Sequence, residues 1–276
     1  MKEHSKEVSE GQRFEFGKNW QRFLQVLNDT RVEEAEDSLR EMLGLDNLEG
    51  KKFLDMGSGS GLFSLAAKGL GAEVHSFDYD PQAVACTEEL KRRYYQNDKN
   101  WVIEEGSALD EEYVKSLGHF DVVYSWGVLH HTGNMWKALH NAHIPVADGG
   151  SLFVALYNDR GIISKFWTAI KKTYCSGQYG KIITTGIFIP YFFFGTFATD
   201  LTRFQNPIRR YYECLDGNRG MSIYYDWIDW LGGYPFEVAT LEEVVNFYQK
   251  YHFIPQKIEK GRRNNCNQFV FKKEKS

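Results

Sequence analysis

Between Lys52 and residue 158, short apolar runs alternate with amphipathic ones, and that rhythm limits the possible folds more than any other feature of the chain. The runs Lys52–Met56, Glu73–Asp78, Trp101–Glu105, Phe120–Trp126 and 150–158 have the length and residue types of strands. Helical patterns separate them at 60–69, from Pro81 onward behind an Asp80 N-cap, at 111–117 and at Met135–His143. Strands alternating with helices predict a parallel sheet covered on both faces. The rhythm stops after Asn158 and resumes with a helix at 241–251. Two strands follow, at 255–261 and 267–273, joined by a tight turn at 262–265 and therefore expected to pair antiparallel.

The rest of the chain is patterned differently. Trp20, Phe23, Leu24 and Leu27 recur at helical spacing, a second amphipathic run follows, and Gly44 supplies a stop. From 159 to 239 the chain is crowded with aromatic residues and shows no strand–helix alternation. The expected organisation is an N-terminal helical extension at 1–50, an α/β core from 51–158 and 240–276, and an insertion at 159–239 after the fifth strand.

With 276 residues, 42% of them hydrophobic and 25% charged, the chain can bury a sizeable core. Its formal net charge of −4 argues against a general affinity for nucleic acid. Its basic clusters, at 91–93, 209–210 and 262–263, read as solvated faces. Cys86, Cys175, Cys214 and Cys266 form no C-x-x-C pair, so free thiols in a reducing compartment are expected rather than zinc or disulfides. The opening "MKEHSKEVSEGQ" lacks the apolar core of a signal peptide, which makes the cytoplasm the expected location. Residues 182–199 complicate that picture, because 18 positions without a charge reach the lower limit for crossing a bilayer. Threonines, glycines and a proline dilute the run. A buried lid element is the first expectation, a surface meeting lipid or a greasy substrate the second, and a true span the third.

The chemistry concentrates in "FLDMGSGSG". A strand, a glycine-rich turn and a helix make a crevice for a nucleotide-like ligand at the carboxyl ends of parallel strands. The spacing is G-x-G-x-G (Gly57, Gly59, Gly61), neither the dinucleotide fingerprint G-x-G-x-x-G nor a phosphate loop ending in G-K-[ST]. Asp55, two residues ahead, would sit badly beside a pyrophosphate but well beside an ammonium or sulfonium group. A plain packing turn is the alternative reading. Asp78 ends the second strand 21 positions after Gly57, where a carboxylate can accept two hydrogen bonds from a vicinal diol.

Together "FLDMGSGSG", "VHSFDYDP", "EGSALD", "FDVVYSWGVLHHT" and "GGSLFVALYN" resemble the motifs of the class I S-adenosylmethionine-dependent methyltransferases, and most closely their small-molecule, quinone-methylase-like branch. The resemblance covers about 50–158 and 240–273. It implies a seven-stranded, mostly parallel sheet in the order 3-2-1-4-5-7-6, with the last strand antiparallel and helices on both faces. It also implies S-adenosylmethionine as cofactor. Gly57, Ser58 and Gly59 would pass under the methionine part, with Asp55 ordering the turn and meeting the amino group. Asp78 would hold the ribose, Tyr79 would cover the adenine, and Ser107 and Ala108 would meet its edge. Trp126 and Gly127 would flank the cofactor, and Trp20 joins the cofactor-binding candidates.

His130 and His131 are the catalytic candidates, since a base helps when the methyl acceptor is a hydroxyl. Positioning or packing are their alternative roles. Metal-dependent relatives carry an acid where His130 stands, so no metal is expected. The insertion is read as a substrate lid, with Tyr211, Tyr224, Trp227 and Arg210 as acceptor-binding candidates and Arg209 and Arg219 as further cations. The expected partner is a small, partly apolar methyl acceptor rather than DNA, which the "SWGV" after the fourth strand does not suit. An RNA, tRNA or protein methyltransferase is the runner-up. A non-catalytic cofactor-binding partner and an NAD-linked oxidoreductase are the readings from other classes.

Overall fold

The structure is a computed structural model that describes residues 2–202, 223–261 and 265–275. Seven strands form one sheet in the order β3-β2-β1-β4-β5-β7-β6, as the family resemblance implies. They are β1 (Lys52–Met56), β2 (Glu73–Asp78), β3 (Trp101–Glu105), β4 (Phe120–Trp126), β5 (Val146–Tyr157), β6 (Phe253–Glu259) and β7 (Cys266–Lys273). The first five pair in parallel, and β7 runs antiparallel to both β5 and β6. The fifth strand starts earlier than expected, at Val146, because a register shift lets Val146 pair with Phe120 before the main ladder begins at Ser151.

Strand side chains alternate between faces, and here both faces are covered. Phe53 and Val122 enter one apolar core, while their neighbours Leu54 and Val123 enter the other. The helices along the sheet are α4 (Leu62–Gly69), α5 (Pro81–Tyr94), α6 (Glu111–Ser116), α7 (Met135–His143) and α11 (Leu241–Gln249). Before β1 come α1 (Lys2–Ser9), α2 (Gly17–Phe23) and α3 (Asp29–Leu43), and Leu39 and Met42 of α3 join the core on the Phe53 side. After β5 come α8 (Ile162–Cys175), α9 (Gln178–Thr202) and α10 (Ile223–Gly232). They share a third cluster built on Ile170, Tyr174 and Leu231, against which Phe14 packs. The ends of this inserted stretch are held together: Ala239 N–H donates to the Tyr157 carbonyl and Asp159 N–H to the Ala239 carbonyl, both at 3.1 Å.

One expectation is overturned here. Residues 182–199 form most of α9, yet only 6% of the apolar window Gln178–Thr199 is buried. A buried lid element is therefore ruled out for this segment. Only the side facing α8 and α10 packs, through residues such as Gly180, Thr184 and Phe192.

The helix expected from Ser60 begins at Leu62 because Gly61 occupies its N-cap at φ +82. A Cβ on Gly61 would lie 2.8 Å from the Thr87 Cα, a backbone atom of α5. Gly61→Ala is therefore expected to lower the unfolding free energy by about 2–4 kcal/mol, from left-handed strain plus overpacking. Gly118 has the same φ but open space around it, so Gly118→Ala should cost only about 1 kcal/mol. Urea unfolding of both variants checks this, and equal midpoint shifts would refute the packing argument.

Candidate functional site

The site begins at the carboxyl ends of β1, β2 and β4. Gly57 N–H and Ser58 N–H both donate to the Phe77 carbonyl, at 2.8 and 3.1 Å, which bends the chain sharply after β1. Gly57 holds φ +87, and a Cβ there would strike the Val128 side chain at 2.4 Å. Gly59 holds φ +56 with the Trp20 indole 3.2 Å from the place of its missing Cβ. Trp20 of α2 thus covers the turn, which only glycine leaves room for.

Asp78 orders this turn. Its Oδ2 accepts from Gly59 N–H and its Oδ1 from Asp80 N–H, both at 2.9 Å. Burial pushes its carboxyl up to about 6. The ordering role expected of Asp55 is corrected accordingly: Asp55 accepts instead from the Ser64 hydroxyl of α4. Ser64 in turn meets Ser76 at 2.7 Å, to which the Trp101 indole N–H donates at 2.9 Å. Asp55 is buried, lines the cavity, and has its carboxyl pushed up to about 7 by desolvation and then by Asp78. A carboxylate held so close to neutral is stabilised by any cation brought beside it.

Asp80 does more than cap α5. Its Oδ1 accepts from Gln82 N–H at 2.9 Å, while its Oδ2 accepts from Gly17 N–H at 2.8 Å and so pins α2 over the strand ends. Above β2, Tyr79 stands edge-on to His4 at 5.4 Å, with the Arg13 guanidinium 5.1 Å from its ring centre. Arg13 also donates to the carbonyls of His131 and Thr132, at 2.9 and 3.3 Å, tying the N-terminal segment to the loop after β4. Nothing in the sequence pattern marked Arg13, because the two carbonyls it ties down lie more than a hundred positions away.

The glycine turn, Asp55, Asp78, Tyr79, Asp80, Arg13 and His4 line one cavity of about 1730 Å3. All the cofactor-binding candidates named from sequence border it: Trp20, Asp55, Gly57, Ser58, Gly59, Asp78, Tyr79, Ser107, Ala108, Trp126 and Gly127. Ala108 is fixed by Asn141, which donates to its carbonyl at 2.8 Å. Trp126 donates from Nε1 to Gln268 Oε1 at 3.0 Å, and Gly127 turns at φ +74 with open space where a Cβ would be.

The cavity continues beneath the inserted helices into an aromatic chamber. Trp167 stacks on Phe192 at 6.0 Å and stands edge-on to Trp230 at 5.4 Å, while Tyr157 meets Trp230 at 5.7 Å. Trp227 borders the chamber, 5.8 Å from Phe192. Arg209, Arg210, Tyr211 and Arg219, together with the Tyr224 side chain, lie outside the described residues.

The two histidines separate. His131 borders the cavity, and its Nδ1 lies 2.6 Å from the Pro235 carbonyl. A carbonyl only accepts, so Nδ1 carries the proton and Nε2 keeps its lone pair. Burial pushes the pKa of His131 down to about 3, so the ring is neutral at physiological pH. His130 is fully buried, packed 4.3 Å from His131 and 4.4 Å from Tyr157, and is not part of the cavity wall. The catalytic expectation for His130 is corrected: with no route to the cavity, its ring reaches no substrate. It backs the wall that His131 and Tyr157 form.

Sequence reasoning missed Lys171. Its side chain is 1% exposed, borders the chamber, and places Nζ 4.3 Å from the Trp230 ring centre and 4.8 Å from that of Phe236. Nζ donates to the Trp230 carbonyl. Among the described residues no carboxylate lies within ion-pair distance of it, and burial pushes its pKa down to about 7. Ile170, Lys171, Tyr174 and Cys175 share one face of α8, all buried. That spacing was the available signal.

The donor set fits a cationic, sugar-bearing ligand: a buried carboxyl near neutrality, a second at a strand end, and a turn kept clear of Cβ atoms. Comparison with known proteins agrees. A family model described as a methyltransferase domain matches residues 54–152. The ubiquinone biosynthesis O-methyltransferase of Azotobacter vinelandii is 31% identical over 137 residues, 49% of this chain and 53% of that one. The ribosomal protein L11 methyltransferase of Methylococcus capsulatus is 42% identical over 71 residues, 25% of this chain and 24% of that one. The chain thus spans about half or less of the curated relatives it matches. Among solved structures, the magnesium protoporphyrin IX methyltransferase of Synechocystis PCC 6803 with bound SAH superposes with a TM-score of 0.55 at 11% identity. The match covers 93% of this chain and 95% of that one, and it shows a shared fold.

Proposed function

The chain belongs to the class I S-adenosylmethionine-dependent methyltransferases, and from that premise we propose that it methylates a hydroxyl oxygen of a small, partly apolar, ring-bearing acceptor. The observation that carries this reading is the continuity of the cavity from the Gly57–Gly59 turn and Asp78 into the aromatic chamber. The bound cofactor supplies an electrophilic methyl group on a sulfonium. Asp55 and Asp78 would hold its ammonium and its ribose hydroxyls, and the glycine turn would lie against it.

The remaining work falls to the chamber. Methyl transfer is governed by alignment, and Trp167, Phe192, Trp227 and Trp230 form apolar walls suited to orienting a flat acceptor. His131 accepts the hydroxyl proton at Nε2, with Pro235 fixing the tautomer at Nδ1. A base pushed down to about 3 is weak. The hydroxyl becomes strongly acidic as its oxygen is alkylated, however, so a neutral imidazole suffices to take the proton. Lys171 favours an acceptor oxygen with negative character, as in a phenol. In this scheme residues 159–239 act as the substrate-binding insertion and 1–50 as the cover over the cofactor. We place the protein in the cytoplasm because the buried thiols of Cys86, Cys175 and Cys266 suit a reducing compartment.

The test is methyl-labelled cofactor offered to fractionated cell extract. Label is expected in the organic-extractable small-molecule fraction, and label confined to RNA or protein would overturn the reading. His131→Ala should slow turnover on the order of tenfold to a hundredfold while leaving calorimetric SAH affinity unchanged. An unaltered rate in the folded variant would remove His131 as base.

A further inference from the structure

The outward face of the helix α9 is left without a role by the scheme above. Tyr179, Ile183, Ile187 and Phe194 on it are 83%, 56%, 59% and 66% exposed. At about 100° per residue, its exposed apolar side chains spread over roughly half its circumference, wider than the single stripe a helix normally buries against protein. The patch continues onto α8, where Ile162 is 85% and Phe166 55% exposed and Phe166 reaches Phe188 of α9 at 6.4 Å. Isolated surface apolar residues need no explanation, but a contiguous face of this kind marks an interaction site.

Charge identifies the occupant. The chain as a whole is acidic, with 37 Asp and Glu against 33 Lys and Arg. From 160 to 199 it holds no Asp or Glu at all, while Arg160, Lys165, Lys171, Lys172 and Lys181 are basic. Lys165, Lys172 and Lys181 are exposed on the same two helices. Apolar side chains over a wide arc, flanked by these cations, match a bilayer with anionic headgroups. The 18 uncharged residues 182–199 span about 27 Å, close to the thickness of the hydrocarbon core. Packing of α9 against α8 and α10 holds it to the protein rather than projecting it across a membrane.

We propose that the α8–α9 hairpin docks this protein on an anionic lipid surface, with α9 lying in the interface. The same helix contributes Tyr191, Phe192, Gly195 and Thr199 to the wall of the acceptor chamber. The chamber therefore adjoins the docked face, and its acceptor is a lipid-soluble molecule drawn from the bilayer. This last clause rests on the proposed function; the docking itself does not.

Vesicle flotation tests it, using phosphatidylcholine alone and an equal mixture with phosphatidylglycerol, each at low and high salt. The wild type is expected to float with the mixed vesicles and to lose at least tenfold in binding on phosphatidylcholine alone or at high salt. Ile187→Glu with Phe194→Glu should lose binding to the same degree, and so should Lys165→Glu with Lys172→Glu and Lys181→Glu. None of these five side chains borders the cavity, so calorimetric SAH affinity should be unchanged, which also reports that the variants fold. A wild type that floats with neither vesicle, or variants that float as well as wild type, would overturn the proposal. So would a dimer that Ile187→Glu with Phe194→Glu dissociates without any vesicle binding, since the face would then belong to a second copy. Flotation without SAH binding would leave docking intact and refute the methyltransferase reading instead.

Discussion

Asp78→Ala should weaken binding of S-adenosylmethionine by about 3–4 kcal/mol, roughly a hundred-and-fifty- to eight-hundredfold in Kd. Two losses combine. The variant removes the acceptor proposed for the ribose hydroxyls, and it strips Gly59 N–H and Asp80 N–H of their 2.9 Å partners, releasing the turn that would lie beneath the cofactor. Asp78→Asn keeps one acceptor oxygen and should lose less. A pH dependence follows from the same carboxyl. In the free protein burial raises it to about 6, whereas diol hydroxyls favour its ionised form. Below pH 6 binding must therefore expel a proton, and Kd should rise about tenfold between pH 7 and pH 5. Calorimetry of wild type and both variants across that range measures all of this. An affinity for Asp78→Ala within threefold of wild type would remove Asp78 from the site.

The second large effect concerns stability. An ordinary lysine titrates near 10.4, and burial pushes Lys171 down to about 7. Between those values the unfolded chain holds a proton that the folded chain has lost. Stability attributable to Lys171 therefore rises with pH across that window, by about 4 kcal/mol in all, and is flat below pH 7. Lys171→Met should abolish that rise and should itself be more stable than wild type near pH 7, because no amine then needs desolvating. Urea unfolding at intervals from pH 7 to 9.5 gives the comparison, and parallel pH slopes for the two proteins would refute it. The same variant should raise KM for the acceptor, since it removes a cation from the chamber.

The parallel core was legible in sequence because its signals are local. Asp80 followed by Pro81 announces a helix start within two residues, and the periods of Phe120–Trp126 and Met135–His143 are those of the elements observed. The glycine turn was legible for the same reason. Its meaning was less so, since the ordering of the turn belongs to Asp78 rather than Asp55, which only the path of the Gly59 N–H decides.

Sequence alone determined the alternation of strands and helices, the antiparallel last strand and the turn that marks the cofactor crevice, since each is written in spacings of a few residues, while the strand order came from the family resemblance. Tertiary structure alone decided the rest. It turned His130 away from the cavity and His131 toward it, brought Arg13 and Trp20 over the strand ends, buried Lys171 in an aromatic chamber, and left α9 exposed. Those outcomes depend on which distant surfaces pack together. A one-dimensional pattern records that a side chain is apolar or charged, but burial is a property of its neighbours in space.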